Sequence, residues 1–365
     1  MSFQKVRVLA FVVCLLPIDL FVAALLLAAQ AASWPLLIFK RFIAATGPVN
    51  TSAVTIQILN WDGKHLLEEF LPSVVSAAGR HEILVVDNGS TDGSVDFLKS
   101  RFPQVRVLEL DKNYGFSIGN NRGIDTVNTD VVVLLNNDMA VEPEFLEPLL
   151  KPFADPAVFA VASRITVPDP AKSRQETGKT RARFENGMFY LWHDTVEQAA
   201  DSDVERSGAL PVFWAGGGAC AIDRRKFAAI GGFDSLYHPF YVEDTDLSYQ
   251  AWKRGWRCMF APASRVLHKH RATSGPRFGD LFVNNTTRRN HYLFTWKNVT
   301  DSGMLVEHLA RLPSIHGRAI AQFGAAFEVR AYLRACLRLP LAILRRLSNV
   351  RTYVLNDRDV LGLTT

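Results

Sequence analysis

Four short runs of aliphatic and β-branched residues, Val54–Leu59, Ile83–Val86, Val105–Leu110 and Val131–Leu135, each end on a polar cluster. The clusters are Asn60-Trp61-Asp62, Asp87-Asn88-Gly89-Ser90, Asp111-Lys112-Asn113 and Asn136-Asn137-Asp138. Amphipathic stretches at Lys64–Ala78, Ser94–Arg101 and Ser117–Asp125 separate the runs and predict helices. Strand, helix and strand in alternation is the pattern of βαβ units, which build an α/β fold around a mostly parallel, Rossmann-like sheet with flanking helices. Ligands of such open sheets bind beyond the carboxyl ends of the strands. The four polar exits therefore predict one binding crevice.

The chemistry available at these exits points to a nucleotide and a metal. Asp87 is followed by a turn-forming Asn-Gly-Ser-Thr run, so its carboxylate either caps that turn or accepts a hydrogen bond from a pyrimidine N3–H. Asn60, Asp62 and Asn88 share this edge. The segment from Asp111 to Asp125 places Asn113, Gly115, Asn120 and Asn121 around a helix start; it lacks GxGxxG spacing, which argues against a dinucleotide site. Asn137 and Asp138 leave the most apolar run. Asp138 there can ligate Mn2+ or Mg2+, since hard divalent ions are commonly held by one or two carboxylates and completed by substrate phosphates.

Downstream, Phe213-Trp214-Ala215-Gly216-Gly217-Gly218 reads as a glycine-rich turn into a strand, where Trp214, Gly216 and Gly217 leave room for a sugar against backbone. Residues from Asp244 to Arg254 have helical periodicity, with Glu243, Asp244 and Asp246 crowding the first turn. Acids there compensate the helix dipole, but three exceed that need. Asp244 is the preferred general base toward an acceptor hydroxyl, with Glu243 orienting the acceptor. His268 or His270, after the next strand, can add a metal ligand, with His268 preferred. Arg288, Arg289 and Asn290 are candidates for a diphosphate. Residues 166–209 read as a polar, irregular insertion or a loop over the site.

The flanks carry no such motif. Residues 1–45 are predicted to be a hydrophobic membrane anchor or interfacial segment: Val8–Phe39 is almost wholly apolar, and its uncharged part from Leu20 onward reaches ~20 residues, enough for one span. Lys5, Arg7 and Ala29-Gln30-Ala31 leave a cleaved signal peptide as the rival, and Pro17 marks a possible hinge. A linker over 46–53 leads into the main domain at 54–300, with a nucleotide-binding half at 54–140 and an acceptor half at 141–300. Residues 301–365 form a basic helical tail with amphipathic stretches. The net charge is +5, yet seven arginines and one acid between Arg318 and Arg351 give that stretch alone +6. A near-neutral body argues against a nucleic-acid groove, and the tail suits either anionic lipid or packing on the domain. Four separated cysteines show no metal-ligand spacing and fit a reducing compartment.

Taken in order, VTIQILNWDG, ILVVDNGSTDGS, NYGFSIGNNRGI, VVVLLNNDM, FWAGGGACAIDRRKFAAIGGFD, FYVEDTDLSYQAWKRGW, VLHKHRATSG and RRNHYLFTWKN resemble the inverting glycosyltransferase family 2, especially its rhamnosyltransferase-like branch. The resemblance covers about two thirds of the chain. It implies a GT-A fold, a UDP- or dTDP-sugar donor, and single-displacement transfer to an acceptor hydroxyl of a glycan or lipid-linked acceptor. It assigns base recognition to Asp87, metal to Asp138 and His268, and the catalytic base to the Glu243-Asp244 pair. The family's DxD reads Asn136-Asn137-Asp138 here, so only its last position offers a carboxylate. The expected setting is a membrane with the catalytic domain in the cytoplasm. The alternative is a non-catalytic nucleotide-sugar-binding membrane protein.

Overall fold

The computed structural model describes residues 3–38, 47–167, 176–196, 208–268 and 278–364. Its first element, α1 (Phe3–Ile38), is a single helix that continues through Pro17 and Pro35, so the possible hinge at Pro17 is not formed. Leu15, Asp19, Val22, Leu26, Ala29 and Ser33 are buried along it. They recur every three or four residues, the spacing of a helix that packs one seam on a neighbour.

The predicted βαβ rhythm appears as β1 (Val54–Asn60), α2 (Lys64–Ala78), β2 (Glu82–Asp87), α3 (Ser94–Arg101), β3 (Arg106–Glu109), α4 (Gly115–Ile124) and β4 (Val131–Asn136). β3, β2, β1 and β4 lie side by side and parallel. Successive side chains on a strand face opposite ways. Val54, Ile56 and Ile58 thus join Leu67, Leu71 and Val74 of α2 on one face, while Leu84, Val86, Val132 and Leu134 join Ile124 of α4 on the other. α4 approaches its sheet closely at Gly123, where a Cβ would come within 2.4 Å of Gln57 Oε1 and 2.5 Å of Val86 Cγ2. Register aligns Asn60 with Asp87 and Leu59 with Asn136. The polar exits therefore share one edge.

The chain continues through β5 (Met139–Val141), α5 (Leu146–Leu150), β6 (Val158–Thr166), β7 (Thr180–Glu185), β8 (Met188–His193), β9 (Leu210–Pro211), β10 (Ala219–Asp223), α6 (Arg224–Ile230), α7 (Glu243–Lys253) and β11 (Arg257–His268). β10 enters antiparallel between β4 and β6, and β11 runs parallel to β6, so the sheet is parallel in its first half and mixed beyond. Of the stretch 166–209, expected as an irregular insertion or a loop over the site, residues 168–175 and 197–207 lie outside the described residues. β7 and β8 form an antiparallel hairpin turned by Asn186 and Gly187, both at positive φ, and an Asn-Gly pair is the preferred two-residue hairpin turn. Phe189 at its tip rests against the rings of Phe213, Tyr249 and Phe294.

The remaining described residues are mostly helical: α8 (Asp280–Asn298), α9 (Ser302–Phe323), α10 (Ala325–Cys336), α11 (Leu339–Asn349) and α12 (Asp357–Thr364). Gly324, at φ 92°, separates α9 from α10 within the tail. This tail belongs to the body. Asp357 pairs with Lys253 of α7 at 2.8 Å with both side chains buried, and accepts hydrogen bonds from Thr300 N and Tyr249 Oη.

Candidate active site

Three strand ends meet in a short rail of side chains. Asn137 Nδ2 donates to Asn60 Oδ1 at 2.8 Å, Asn60 Nδ2 donates to Asp87 Oδ2 at 3.1 Å, and Ser90 N donates to Asp87 Oδ1 at 2.8 Å. Asp62, at φ 45°, accepts from Thr91 N and donates its own N–H to Ser90 Oγ. Asn88 accepts from Tyr114 N and donates to Asn113 Oδ1, which also accepts from Gly115 N. The donor candidates Asn60, Asp62, Asp87, Asn88, Asn113, Gly115 and Asn137 are thus linked within one hydrogen-bonded edge.

Asn120 and Asn121 have other partners. Asn120 accepts from Gln57 Nε2 and donates to Phe116 O, while Asn121 exchanges two hydrogen bonds with the Phe233 backbone. Both fix the seat of α4 rather than extend the rail, because a buried amide first satisfies its own donors and acceptors.

Asp138 follows the rail. Its Oδ1 is buried without a hydrogen-bond donor among the described residues; it lies 3.2 Å from His268 Nε2 but not in hydrogen-bonding alignment. His268 Nδ1 is 2.7 Å from Glu176 Oε2. Burial pulls the His268 imidazole down, but the Asp138 and Glu176 carboxylates beside it outweigh burial and raise its pKa to about 10. A carboxylate with an unsatisfied oxygen, facing an imidazole that a second carboxylate orients, fits a divalent ion. Among the described residues no group of three His, Cys, Asp or Glu could hold an ion alone. Two protein ligands with the rest supplied by diphosphate oxygens match how such ions are bound. Glu176 was not identified from sequence, since nothing in its local pattern points to a residue so distant in the chain; His270 lies outside the described residues.

The acid cluster on α7 divides into separate tasks. Asp246 is tied by Lys297 Nζ at 2.6 Å, Asn298 Nδ2 at 2.7 Å and Tyr237 Oη at 2.8 Å, and so anchors the helix. Asp244 is half-buried and accepts from Gly217 N at 3.2 Å and Thr245 N at 2.7 Å. Burial lifts its carboxyl above the ordinary range against these hydrogen bonds. Glu243 is 5% exposed, and its Oε2 has no hydrogen-bond partner among the described residues. Burial first, then the Asp244 and Asp246 charges, push it well above the usual carboxylate range. The glycine-rich turn faces this pair: a Cβ on Gly216 would meet Asp244 Oδ2 at 3.9 Å, and one on Gly217 would meet Phe116 Cζ at 3.0 Å. Trp214 is pinned through its backbone, donating its N–H to Thr180 Oγ1 and accepting from the same hydroxyl.

The turn into α7 is strained. Tyr241 and Val242 have φ of 70° and 76°, a region that β-branched residues rarely enter. Asn290 Nδ2 holds it, donating to the carbonyls of Tyr237, Phe240 and Tyr241 at 2.8–3.0 Å. The expectation that Arg288, Arg289 and Asn290 face a diphosphate is not what the structure shows. Arg289 is 1% exposed and donates to Asn290 Oδ1 and to the carbonyls of Tyr237 and His238, while Arg288 pairs with Glu328. Burial and the neighbouring Arg338 and Arg334 depress Arg289 to about 9. Arg289 and Asn290 thus support the loop that presents Glu243 and Asp244.

A family model described as glycosyl transferase family 2 matches residues 55–202, and one described as glycosyl transferase family group 2 matches residues 131–344. The chain is 32% identical over 236 residues to an N-acetylglucosaminyl-diphospho-decaprenol L-rhamnosyltransferase of Mycobacterium tuberculosis, covering 59% of this chain and 75% of that one. It is 26% identical over 215 residues to polypeptide N-acetylgalactosaminyltransferase 16 of Mus musculus, covering 57% and 38%. GalNAc-T7, solved with UDP, GalNAc and Mn2+, superposes with a TM-score of 0.52 at 18% identity over 69% of this chain and 49% of that one. A Pyrobaculum calidifontis mannosyltransferase solved with GDP-Man and Mn2+ gives 0.50 at 17% identity over 94% and 97%.

Proposed function

We propose, for a chain that belongs to glycosyltransferase family 2 and has its GT-A fold, that it moves a UDP- or dTDP-linked sugar to an acceptor hydroxyl with inversion. The pathway is cell-envelope polysaccharide or lipid-linked glycan synthesis. The similarity to an L-rhamnosyltransferase that acts on a lipid diphosphate sugar supports a deoxyhexose donor and a lipid-linked acceptor. The apolar α1, long enough by length and composition to cross a membrane, supports work at the membrane with the catalytic domain on the cytoplasmic side.

The observation that carries the reading is Asp244. It sits at the start of a helix, has its pKa raised by burial, and lies against a backbone turn stripped of side chains. A carboxylate so placed takes the acceptor hydroxyl proton at the oxygen not spent on Thr245, as that hydroxyl oxygen attacks the anomeric carbon. Glu243, whose neutral form burial and the Asp244 charge favour, donates to the acceptor and orients it. Asp87, fixed by Asn60 and Ser90, receives the base of the donor; Asn137 and Asn88 keep the edge rigid. Trp214, Gly216 and Gly217 border the acceptor. Mn2+ or Mg2+ on Asp138 and His268 would neutralise the charge gathering on the departing nucleoside diphosphate. One displacement inverts the anomeric centre.

A thermal-shift and transfer panel of UDP-, dTDP- and GDP-sugars with each metal tests the proposal. Binding and turnover of a UDP- or dTDP-sugar are expected; a panel with no binder contradicts it.

A further inference from the structure

α1 is apolar enough to cross a bilayer, yet it is laid along the catalytic body for most of its length. Gln30 Nε2 donates to Thr300 O and Ser302 Oγ near the start of α9, and Gln30 Oε1 accepts from Arg346 of α11. Farther back, Asp19 accepts from His316 at 3.1 Å and from Tyr332 Oη at 2.7 Å. Still farther, Val12 faces Gly317. α1 and α9 are therefore antiparallel neighbours from Val12 to Gln30. α9 in turn is fastened to the hairpin of the body, with Glu307 accepting from Gly187 N and His308 bonded to Gly187 O.

This arrangement conflicts with a free span. The apolar stretch runs from Val6 to Leu36, and Asp19 lies near its middle. Standing α1 across a membrane would either carry the charged α9 into hydrocarbon or strip Asp19 and Gln30 of their partners there, and a carboxylate near the bilayer centre is among the least favourable placements. The face turned away from the body is different in kind. Leu9, Val13, Leu20, Phe21, Leu27 and Trp34 are 46–71% exposed, and no charged side chain interrupts them. An apolar strip ~39 Å long, at 1.5 Å per residue, is not left to water. On the helices that also touch α1, Leu333, Leu337 and Leu344 point outward beside the exposed Arg330 and Arg345, with Arg351 just beyond. Outward leucines with flanking arginines complement the apolar edge and negative headgroups of an anionic leaflet.

We infer that α1 is an in-plane membrane helix: its seam stays docked on α9 while its outer face enters one leaflet of an anionic bilayer, and it does not cross. The inference rests on the membrane association proposed above but requires no turnover. The test is protease protection of the full chain, tagged with one epitope at each end, in inverted and right-side-out membrane vesicles. Both epitopes are expected on the cytoplasmic side, and Leu20→Glu with Phe21→Glu is expected to move most of the protein to the soluble fraction with its Tm retained. An N-terminal epitope on the far side overturns the in-plane placement and leaves membrane association standing. A soluble wild-type chain, whether monomer or a dimer closed over α1, overturns both, as does loss of the N-terminal epitope by cleavage; donor binding is unaffected in each case.

Discussion

His268 Nε2 stands 3.2 Å from Asp138 Oδ1, at the ends of β11 and β4. Glu176 fixes the other ring nitrogen, and an outer carboxylate of that kind typically contributes ~10–100-fold in metal affinity. Glu176→Gln is therefore expected to weaken Mn2+ binding by that order, and Asp138→Asn or His268→Ala to weaken it further. Mn2+ titration followed by thermal shift, without acceptor, checks the order. Unchanged Mn2+ affinity in Asp138→Asn removes the metal assignment.

Asn60 joins Asn137 to Asp87 and is fully buried. Removing its side chain leaves buried groups unpaired at ~1–3 kcal/mol each. Asn60→Ala should lower Tm and weaken nucleoside diphosphate binding ~10-fold or more, while Asp87→Asn should weaken binding with a smaller change in Tm. Calorimetric Kd values alongside melting curves separate the two.

The first four strands were legible because their signals are local. Strand, helix and polar exit follow one another, and parallel pairing then brings the exits of β1, β2 and β4 to one edge without further information. The part after β4 was legible only in part. Asn186-Gly187 announced a hairpin, but the surrounding polar residues concealed it. Arg289 read as a phosphate ligand because charge is visible in sequence while burial is not; folding turned it onto the Tyr237 and His238 carbonyls. Asp244 and Asp246 are two residues apart in the same turn, and only tertiary contacts with Lys297 and Asn298 separate the anchor from the proposed base. Glu176 had no local signal at all.

Asn290 holds three carbonyls of the loop that ends in the strained Val242. Strain of ~1–3 kcal/mol persists only where surroundings enforce it. Asn290→Ala should let the turn relax and misplace Glu243 and Asp244, lowering kcat ~10–100-fold with little change in donor Kd, since misplacements near 1 Å can cost that much. A donor Kd that rises in step with the loss of kcat would instead put Asn290 at the diphosphate.

Glu243 is raised well above the carboxylate range by burial and by Asp244. A carboxyl whose folded pKa exceeds its unfolded one contributes stability below the unfolded value and loses it as pH rises through the folded value. Glu243→Gln should therefore melt above the wild type, by ~2–4 °C per kcal/mol relieved, and the gap should widen from acid to alkaline pH. Gln keeps a neutral donor, so kcat should survive better than in Glu243→Ala. Melting curves at several pH values and parallel kinetics check both parts.

Asp244 is the proposed base, and its raised carboxyl should give an acid limb to kcat above the ordinary carboxylate range. The most direct test is kcat and donor Kd of Asp244→Asn in folded protein. A loss of ~10²–10⁴-fold in kcat with donor affinity retained is the predicted result. Normal turnover with normal donor binding would contradict the assignment of the base and the mechanism built on it.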